Sequence, residues 1–169
     1  MAGHQYLIAQ LPMYPFEAEE KDLVRKEVFL ELAAANLSKA EFAELCRANI
    51  ATHAQKDLRN PTMKAYARFE RQLREELAQC RKAANCDCEH KPVLFPVAML
   101  KDGNPLEIET RLLKFRWDRL SEMEFGHHFD LDVIILFYLK LQLLYRKASF
   151  LPGPGLDAFT RICAAKEKA

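Results

Sequence analysis

The chain has 169 residues, of which 25 are Lys or Arg and 24 are Asp or Glu, so its formal net charge is +1. Hydrophobic residues make up 50% of the sequence, which excludes intrinsic disorder. The balanced charge argues against a protein that binds nucleic acid through bulk electrostatics. With only 5 Gly, neither a turn-rich β-sandwich nor a fold with a glycine-rich phosphate loop is expected.

The first 16 residues are predicted to form an extended arm. Residues 6–9 are a short apolar run, closed by Pro12 and Pro15, that suits an isolated strand or an arm packed on the core. The N-terminus has neither a basic start nor a long apolar stretch, so no signal peptide is predicted. The 5 cysteines are an odd number, which favours free thiols in a reducing cytoplasm.

Helices are predicted for most of the chain that follows. Apolar residues at helical spacing begin near Glu17 and continue to Asn36. The starts of the next helices carry a capping box or an Asn-Pro pair. These signals lie at Ser38-Lys39-Ala40-Glu41, at Asn60-Pro61 and at Asn104-Pro105.

The last long helix is predicted over residues 131–148 and is apolar nearly all round, as expected at the centre of a bundle. Lys140 and Gln142 interrupt it, and it is too short for a membrane span. A Cys- and Pro-containing loop at 85–96 divides two helical halves, and residues 152–169 are expected to pack loosely. The predicted fold is a mainly α, single-domain bundle of about five to six helices covering residues 1–169.

One cluster contains residue types that bind metals: Cys86, Cys88 and His90. Structural zinc sites usually pair cysteines through two to four intervening residues and supply four ligands. Here the spacing is Cys-x-Cys and no second pair follows, so a polar loop is favoured and no metal or other cofactor is predicted.

His127 and His128 precede the last helix and invite a catalytic or metal-binding interpretation. Adjacent His side chains point in different directions, and Asp130 and Asp132 suit the positive end of the helix dipole. No nucleotide-binding or hydrolase motif occurs, so the chain is not predicted to be an enzyme. A metal-binding regulatory protein or a helical enzyme using the Cys86/Cys88/His90 and His127/His128 region remains an alternative.

Charged residues of both signs alternate along the helix that begins at Pro61. The pattern predicts a solvated helix face, on which exposed ion pairs contribute about 0–1 kcal/mol each. The residues are Arg68, Glu70, Arg71, Arg74, Glu75, Glu76, Arg81 and Lys82.

Three stretches form a recognisable pattern: residues 6–12 (YLIAQLP), residues 66–77 (YARFERQLREEL), and residues 116–146 with RW, FGHHFD and FYLKLQLLYR. They resemble the YLIASLP, WYxFExxLRNxL and RW…FGHYFD…YALKLQLLER motifs of a short bacterial family of unknown function, encoded in operons of V/A-type ATPases. His128 and Tyr145 depart from that pattern, and the Cys-rich loop is not a family feature. A weaker resemblance, at residues 66–74 and 138–146, is to the helical funnel of these ATPases, the component that joins the central stalk to the proteolipid ring.

The resemblance implies a non-catalytic accessory or central-stalk component of a bacterial V/A-type ATPase that transports protons or sodium ions. Its partners would be the central stalk and the proteolipid ring, and it would be cytoplasmic and peripheral to the membrane through the complex. Partner contacts are expected at apolar positions that the fold could leave exposed, such as Trp117, Phe125 and Tyr145. A helical adaptor unrelated to the ATPase is the remaining alternative.

Overall fold

The computed structural model describes residues 2–51, 58–86, 88, 90–101 and 103–150, and within them it contains α-helices and no strand. A short 3-10 turn at Glu20–Asp22 precedes the second helix. The helices are α1 Ala2–Gln10, α2 Lys26–Asn36, α3 Lys39–Arg47, α4 Pro61–Asn85, α5 Ala98–Lys101, α6 Pro105–Met123 and α7 Leu131–Ala148. The mainly α bundle is therefore confirmed, while the predicted loose segment 152–169 lies outside the described residues.

The predicted helix starts are confirmed because each uses a local side-chain cap. Ser38 opens α3 with a complete capping box. Asn60 Oδ1 accepts a hydrogen bond from the backbone N–H of Met63 at 2.8 Å, and Asn104 Oδ1 accepts one from Glu107 at 2.9 Å. In both Asn-Pro pairs the proline occupies the first turn, where its missing N–H leaves no carbonyl unpaired.

The prediction of an extended arm over residues 1–16 was wrong for Ala2–Gln10, which form α1. The helix is held by tertiary contacts: Leu7 is fully buried, and His4 Nε2 lies 2.9 Å from Glu41 Oε1. Gly3 faces the carbonyl of Asn36 so closely that a Cβ would collide with it. An extended arm or isolated strand was expected because the apolar run is short, whereas the helix depends on a surface supplied by α2 and α7.

The helix predicted to begin near Glu17 begins instead at Lys26. Apart from the 3-10 turn, residues 11–25 have no helix, and side chains satisfy part of their backbone. Tyr14 Oη accepts from the N–H of Val24 at 2.7 Å, and Tyr145 Oη donates to the carbonyl of Val24 at 3.2 Å. These bonds fix an irregular segment across the end of α7.

The central position predicted for α7 is confirmed. It contacts α1, α3 and α6, and Gln142 ties it to the end of α3 by donating to the carbonyl of Ala48 at 2.9 Å. No helix among the described residues is long and apolar enough to cross a membrane. The α7 side chains that are at most 1% exposed are Ile134, Ile135, Leu136, Leu139, Leu141, Leu143 and Leu144.

The prediction of a solvated charged face on α4 was wrong at two of its glutamates. Glu70 is fully buried and pairs with Arg116 of α6 through two contacts of 2.8 and 3.0 Å, while Arg74 Nε lies 2.7 Å away. Glu76 is also buried and accepts from the N–H of Leu94 at 2.8 Å. The first glutamate joins α4 to α6, and the second holds the segment between α4 and α5.

Candidate functional site

The turn that joins α6 to α7 carries two of the most exposed aromatic side chains in the described residues. Phe125 is 94% exposed and Phe129 is 59% exposed. Gly126 between them has φ +88 with open space around it, a left-handed conformation that side-chain-bearing residues rarely adopt. The turn therefore displays its rings to solvent through a backbone shape that requires glycine.

A polar cluster fixes this turn to the start of α7. Asp130 Oδ1 caps the helix by accepting from the N–H of Val133 at 3.1 Å, and His127 Nδ1 lies 2.6 Å from Asp130 Oδ2. Asp132 Oδ2 is 3.8 Å from the same imidazole nitrogen, and its other oxygen accepts from Asn60 Nδ2 at 2.7 Å. The cluster thus connects the turn to the starts of both α7 and α4.

The electrostatics of the cluster favour a charged imidazole. The hydrogen bond to Asp130 raises the pKa of His127, partial burial opposes the rise, and the charges of Asp130 and Asp132 add to it. Burial acts to raise the pKa of Asp130, but the bonds from His127 and the N–H of Val133 outweigh it and lower that pKa. The cluster therefore favours the protonated form of the imidazole, which lies between the two carboxylates.

The same three residues form the group of potential metal ligands that the described part of the chain contains, with ligand atoms within 4.8 Å of one another. Each ligand already has a protein partner: His127 and Asp130 bond to each other, and Asp132 bonds to Asn60. The geometry is that of a helix cap that braces a turn.

An apolar groove of about 530 Å³ lies beside the turn. One wall is the segment that follows α1 and the other is α7. Lys140 is one of its lining residues. The Nζ of Lys140 lies 2.6 Å from a carboxylate oxygen of Glu124 and 5.0 Å from the centre of the Trp117 ring. The lining residues are Ile8, Leu11, Pro12, Met13, Tyr14, Trp117, Glu124, His127, His128, Phe129, Val133, Phe137, Lys140 and Leu141. Met13, which also lines the groove, is 99% exposed. His127, His128 and Phe129 of the turn are lining residues, so the groove adjoins the turn, and we call the two together the turn surface.

The three predicted contact positions differ in accessibility. Phe125 is exposed as expected. The expectation that Trp117 would be exposed was wrong: it is 7% exposed, because the ring of Phe16 covers it at a centroid distance of 5.8 Å. Tyr145 is half-buried and bonded to Val24, and Lys26 Nζ lies 4.9 Å above its ring, so the fold itself occupies this side chain.

The cysteine cluster does not assemble a metal site in the described residues. Cys86 and Cys88 are exposed, and the Cys88 thiol donates to the carbonyl of Cys86 at 3.3 Å. Their sulfurs and the His90 ring nitrogens do not come within 4.8 Å as a group of three. His90 and Cys88 line a different groove from the one lined by His127 and His128, so the two predicted regions do not form one site.

The links that brace the turn were missed by sequence reasoning. Asn60 was recognised as a helix cap, but its amide also reaches Asp132, 72 residues away. Only the cap itself has a local signal, namely Asp130 three residues before Val133. A contact of such long range has no signal in a single sequence.

Fold and surface together define a helical-bundle protein with a braced, exposed aromatic turn beside an apolar groove. Comparison with protein-family models, with curated proteins and with solved structures finds no match. The function is therefore argued from this surface and from the sequence motifs that lie on it.

Proposed function

We propose that this chain is a non-catalytic accessory or central-stalk component of a bacterial V/A-type ATPase and that the turn surface binds another protein of the complex. The single observation that carries the proposal is the position of Phe125: it lies within residues 116–146, the stretch with the longest resemblance to the family found in ATPase operons, and it is 94% exposed. A core motif would bury such a ring, whereas exposed apolar patches mark interaction sites.

The partner that fits is an apolar helix or loop of a stalk protein. The groove offers Leu, Val and Phe side chains, and charged groups in its lining already have partners: Lys140 pairs with Glu124, and His127 pairs with Asp130. A large aromatic side chain at the centre of an interface is the kind of anchor that dominates binding energy. In this proposal the protein acts as a structural coupler at the cytoplasmic side, peripheral to the membrane through the complex.

Co-purification tests the proposal. The tagged chain is expressed with the central-stalk proteins and the proteolipid ring, and the retained proteins are identified by mass spectrometry. Phe125→Ser is expected to remove most of the retained ATPase components. The control Val93→Ser changes a similarly exposed apolar residue, 90% exposed, that lies outside the turn between α6 and α7.

A preparation in which neither stalk nor ring is retained contradicts the proposal. Retention that is equal for Phe125→Ser and Val93→Ser contradicts the assignment of the turn surface. Retention of other proteins in place of ATPase components, lost only with Phe125→Ser, supports the adaptor alternative.

A further inference from the structure

The exposed side of α4 is strongly basic, because two of the glutamates of this helix point inward. Glu70 is fully buried against Arg116. Glu76 is buried and accepts from the N–H of Leu94. Glu75 is the one acidic side chain that α4 leaves exposed. The near balance of charge along the sequence of α4 is therefore not the balance on its surface. The exposed cationic residues of α4 are Lys64, Arg68, Arg71, Arg74, Arg81 and Lys82.

Four of these cations lie in one line along the helix, which we call the α4 stripe. Successive residues of an α-helix are rotated by about 100°, so positions 64, 68, 71, 75 and 82 fall within a sector of about 60°. The line is about 27 Å long at a rise of about 1.5 Å per residue. The α4 stripe consists of Lys64, Arg68, Arg71 and Lys82, with Glu75 among them.

The fold leaves most of the α4 stripe without a counter-charge. Lys64, Arg68 and Lys82 make no ion pair, hydrogen bond or ring contact within the described part of the chain. Two carboxylates of α6 line the same cleft as Arg68, but each is already paired with a cation of α6 itself. These carboxylates therefore do not compensate the stripe. The α6 pairs are Lys114 with Asp118 at 2.6 Å and Arg119 with Glu122 at 2.9 Å.

We propose that the α4 stripe is a docking surface for an acidic helix of a protein partner. A helix that lies along α4 matches the stripe when its own carboxylates recur at every third or fourth position. Such a helix also accommodates Glu75, because a single Lys or Arg in its acidic line can face that carboxylate. This contact is separate from the turn surface and goes beyond the proposed function.

Two other anionic classes match the α4 stripe less well. Nucleic acid carries a phosphate at every step, so Glu75 would repel it, and the α4 rings that could stack on bases, Tyr66 and Phe69, are buried. Binding to an anionic membrane gains strength from apolar side chains beside the basic ones, whereas the exposed uncharged residues in the middle of α4 are small or polar. These residues are Ala65, Gln72, Ala78 and Gln79.

Binding of a designed peptide to the unaltered full-length chain tests the proposal. The probe is a fluorescently labelled, Ala-based helical peptide with Glu residues in one line along its surface, and the control peptide has Gln at those positions. Fluorescence anisotropy is expected to show binding of the Glu peptide alone. This binding is expected to weaken as salt is added, because salt screens exposed ion pairs. Absence of binding at low ionic strength, or equal binding of both peptides, overturns the proposal.

Two double variants with the same change in net charge locate the contact. Arg68→Glu/Lys82→Glu is expected to lower the affinity for the Glu peptide about tenfold or more, because each reversal replaces an attraction by a repulsion. The control Lys39→Glu/Arg47→Glu reverses two exposed residues of α3 and is expected to keep the affinity within about twofold. Thermal melts establish that both variants remain folded. Equal losses in the two variants overturn the assignment to α4.

A charge-swapped peptide and two other anionic probes complete the test. With Lys in place of Glu, the peptide is expected to bind Arg68→Glu/Lys82→Glu more tightly than the unaltered chain, and the opposite order contradicts the proposal. A single-stranded oligonucleotide or phosphatidylserine vesicles that bind more tightly than the Glu peptide, and lose binding in the same variant, overturn the choice of a protein partner. None of these measurements uses the turn surface, so the proposed ATPase function and this contact succeed or fail separately.

Discussion

Replacement of Arg116 by Met is expected to be among the most destabilising single changes at a partly exposed position of this protein. The Glu70 carboxylate is fully buried, and Arg116, with 12% of its side chain exposed, binds both of its oxygens. Removal of one partner of a buried pair leaves an uncompensated charge, which costs about 3–5 kcal/mol. Arg74 still bonds to Glu70 at 2.7 Å, so the loss is expected at the lower end, about 3 kcal/mol.

The double variant Glu70→Leu/Arg116→Met distinguishes a buried pair from two independent residues. Replacement of a whole buried pair by apolar side chains of similar volume is often neutral or stabilising. We therefore expect the double variant to recover most of the loss, with a coupling free energy of about 2–3 kcal/mol between the two positions. Urea denaturation measures the free energy of unfolding of each variant from the midpoint and slope of the transition.

The control is Asp118→Asn on the same helix. Asp118 pairs with Lys114 at 2.6 Å, but about half of each side chain is exposed, so the cost is expected to be about 0–1 kcal/mol. The reasoning is refuted if Arg116→Met costs no more than this control. It is equally refuted if the double variant is no more stable than the less stable single variant.

Three other changes test the turn and the core. Gly126→Ala is expected to cost about 1 kcal/mol, measured by urea denaturation, because φ is +88 and nothing crowds the new Cβ; no loss would contradict a left-handed turn. The pKa of His127 is raised in the folded state. Its ion pair with Asp130 therefore stabilises the fold fully at pH values below the pKa of His127 in the unfolded chain. This contribution is lost as the pH rises through the pKa of His127 in the folded chain. Melting temperature is therefore expected to fall between about pH 6 and 8 more steeply in the unaltered chain than in His127→Gln, and parallel curves would contradict this. Gln142→Leu leaves the N–H of Ile50, which is bonded to Gln142 Oε1 at 3.2 Å, without that partner, and is expected to cost about 1–3 kcal/mol; a thermal melt equal to that of the unaltered chain would refute it.

The sequence predicted those parts of the fold whose cause is local. The caps at Ser38, Asn60 and Asn104 depend on residues three positions apart, so a single sequence contains the whole interaction. The bounds of α7 were predicted correctly for the same reason: Asp130 caps its start, and its apolar side chains identify it as central. Here local propensity and tertiary packing point to the same structure.

Parts of the fold that depend on a distant surface were not predicted. The helix α1 is nine residues long, too short to be stable alone, and it forms because Leu7 is buried and Gly3 allows close contact with α2. The burial of Glu70 did have a signal, since it lies four residues after Tyr66 and three before Leu73, on the buried face of α4. Because Glu70 is charged, it was nevertheless predicted to be exposed. Its Arg partner lies on α6 and cannot be identified from the spacing of residues along α4.

The bracing of the turn bears directly on the proposed binding of a protein partner by the turn surface. An exposed loop ordinarily loses conformational entropy when a partner fixes it, and that loss reduces affinity. Here His127, Asp130 and Asp132 already order the turn, and Asn60 extends the bracing to α4. Phe125 and Phe129 consequently stand on a backbone that is fixed before binding. Exposed aromatic rings do not contribute to the stability of the bundle, yet polar groups hold the backbone that carries them. This combination favours the proposal of a preorganised docking site for a protein partner.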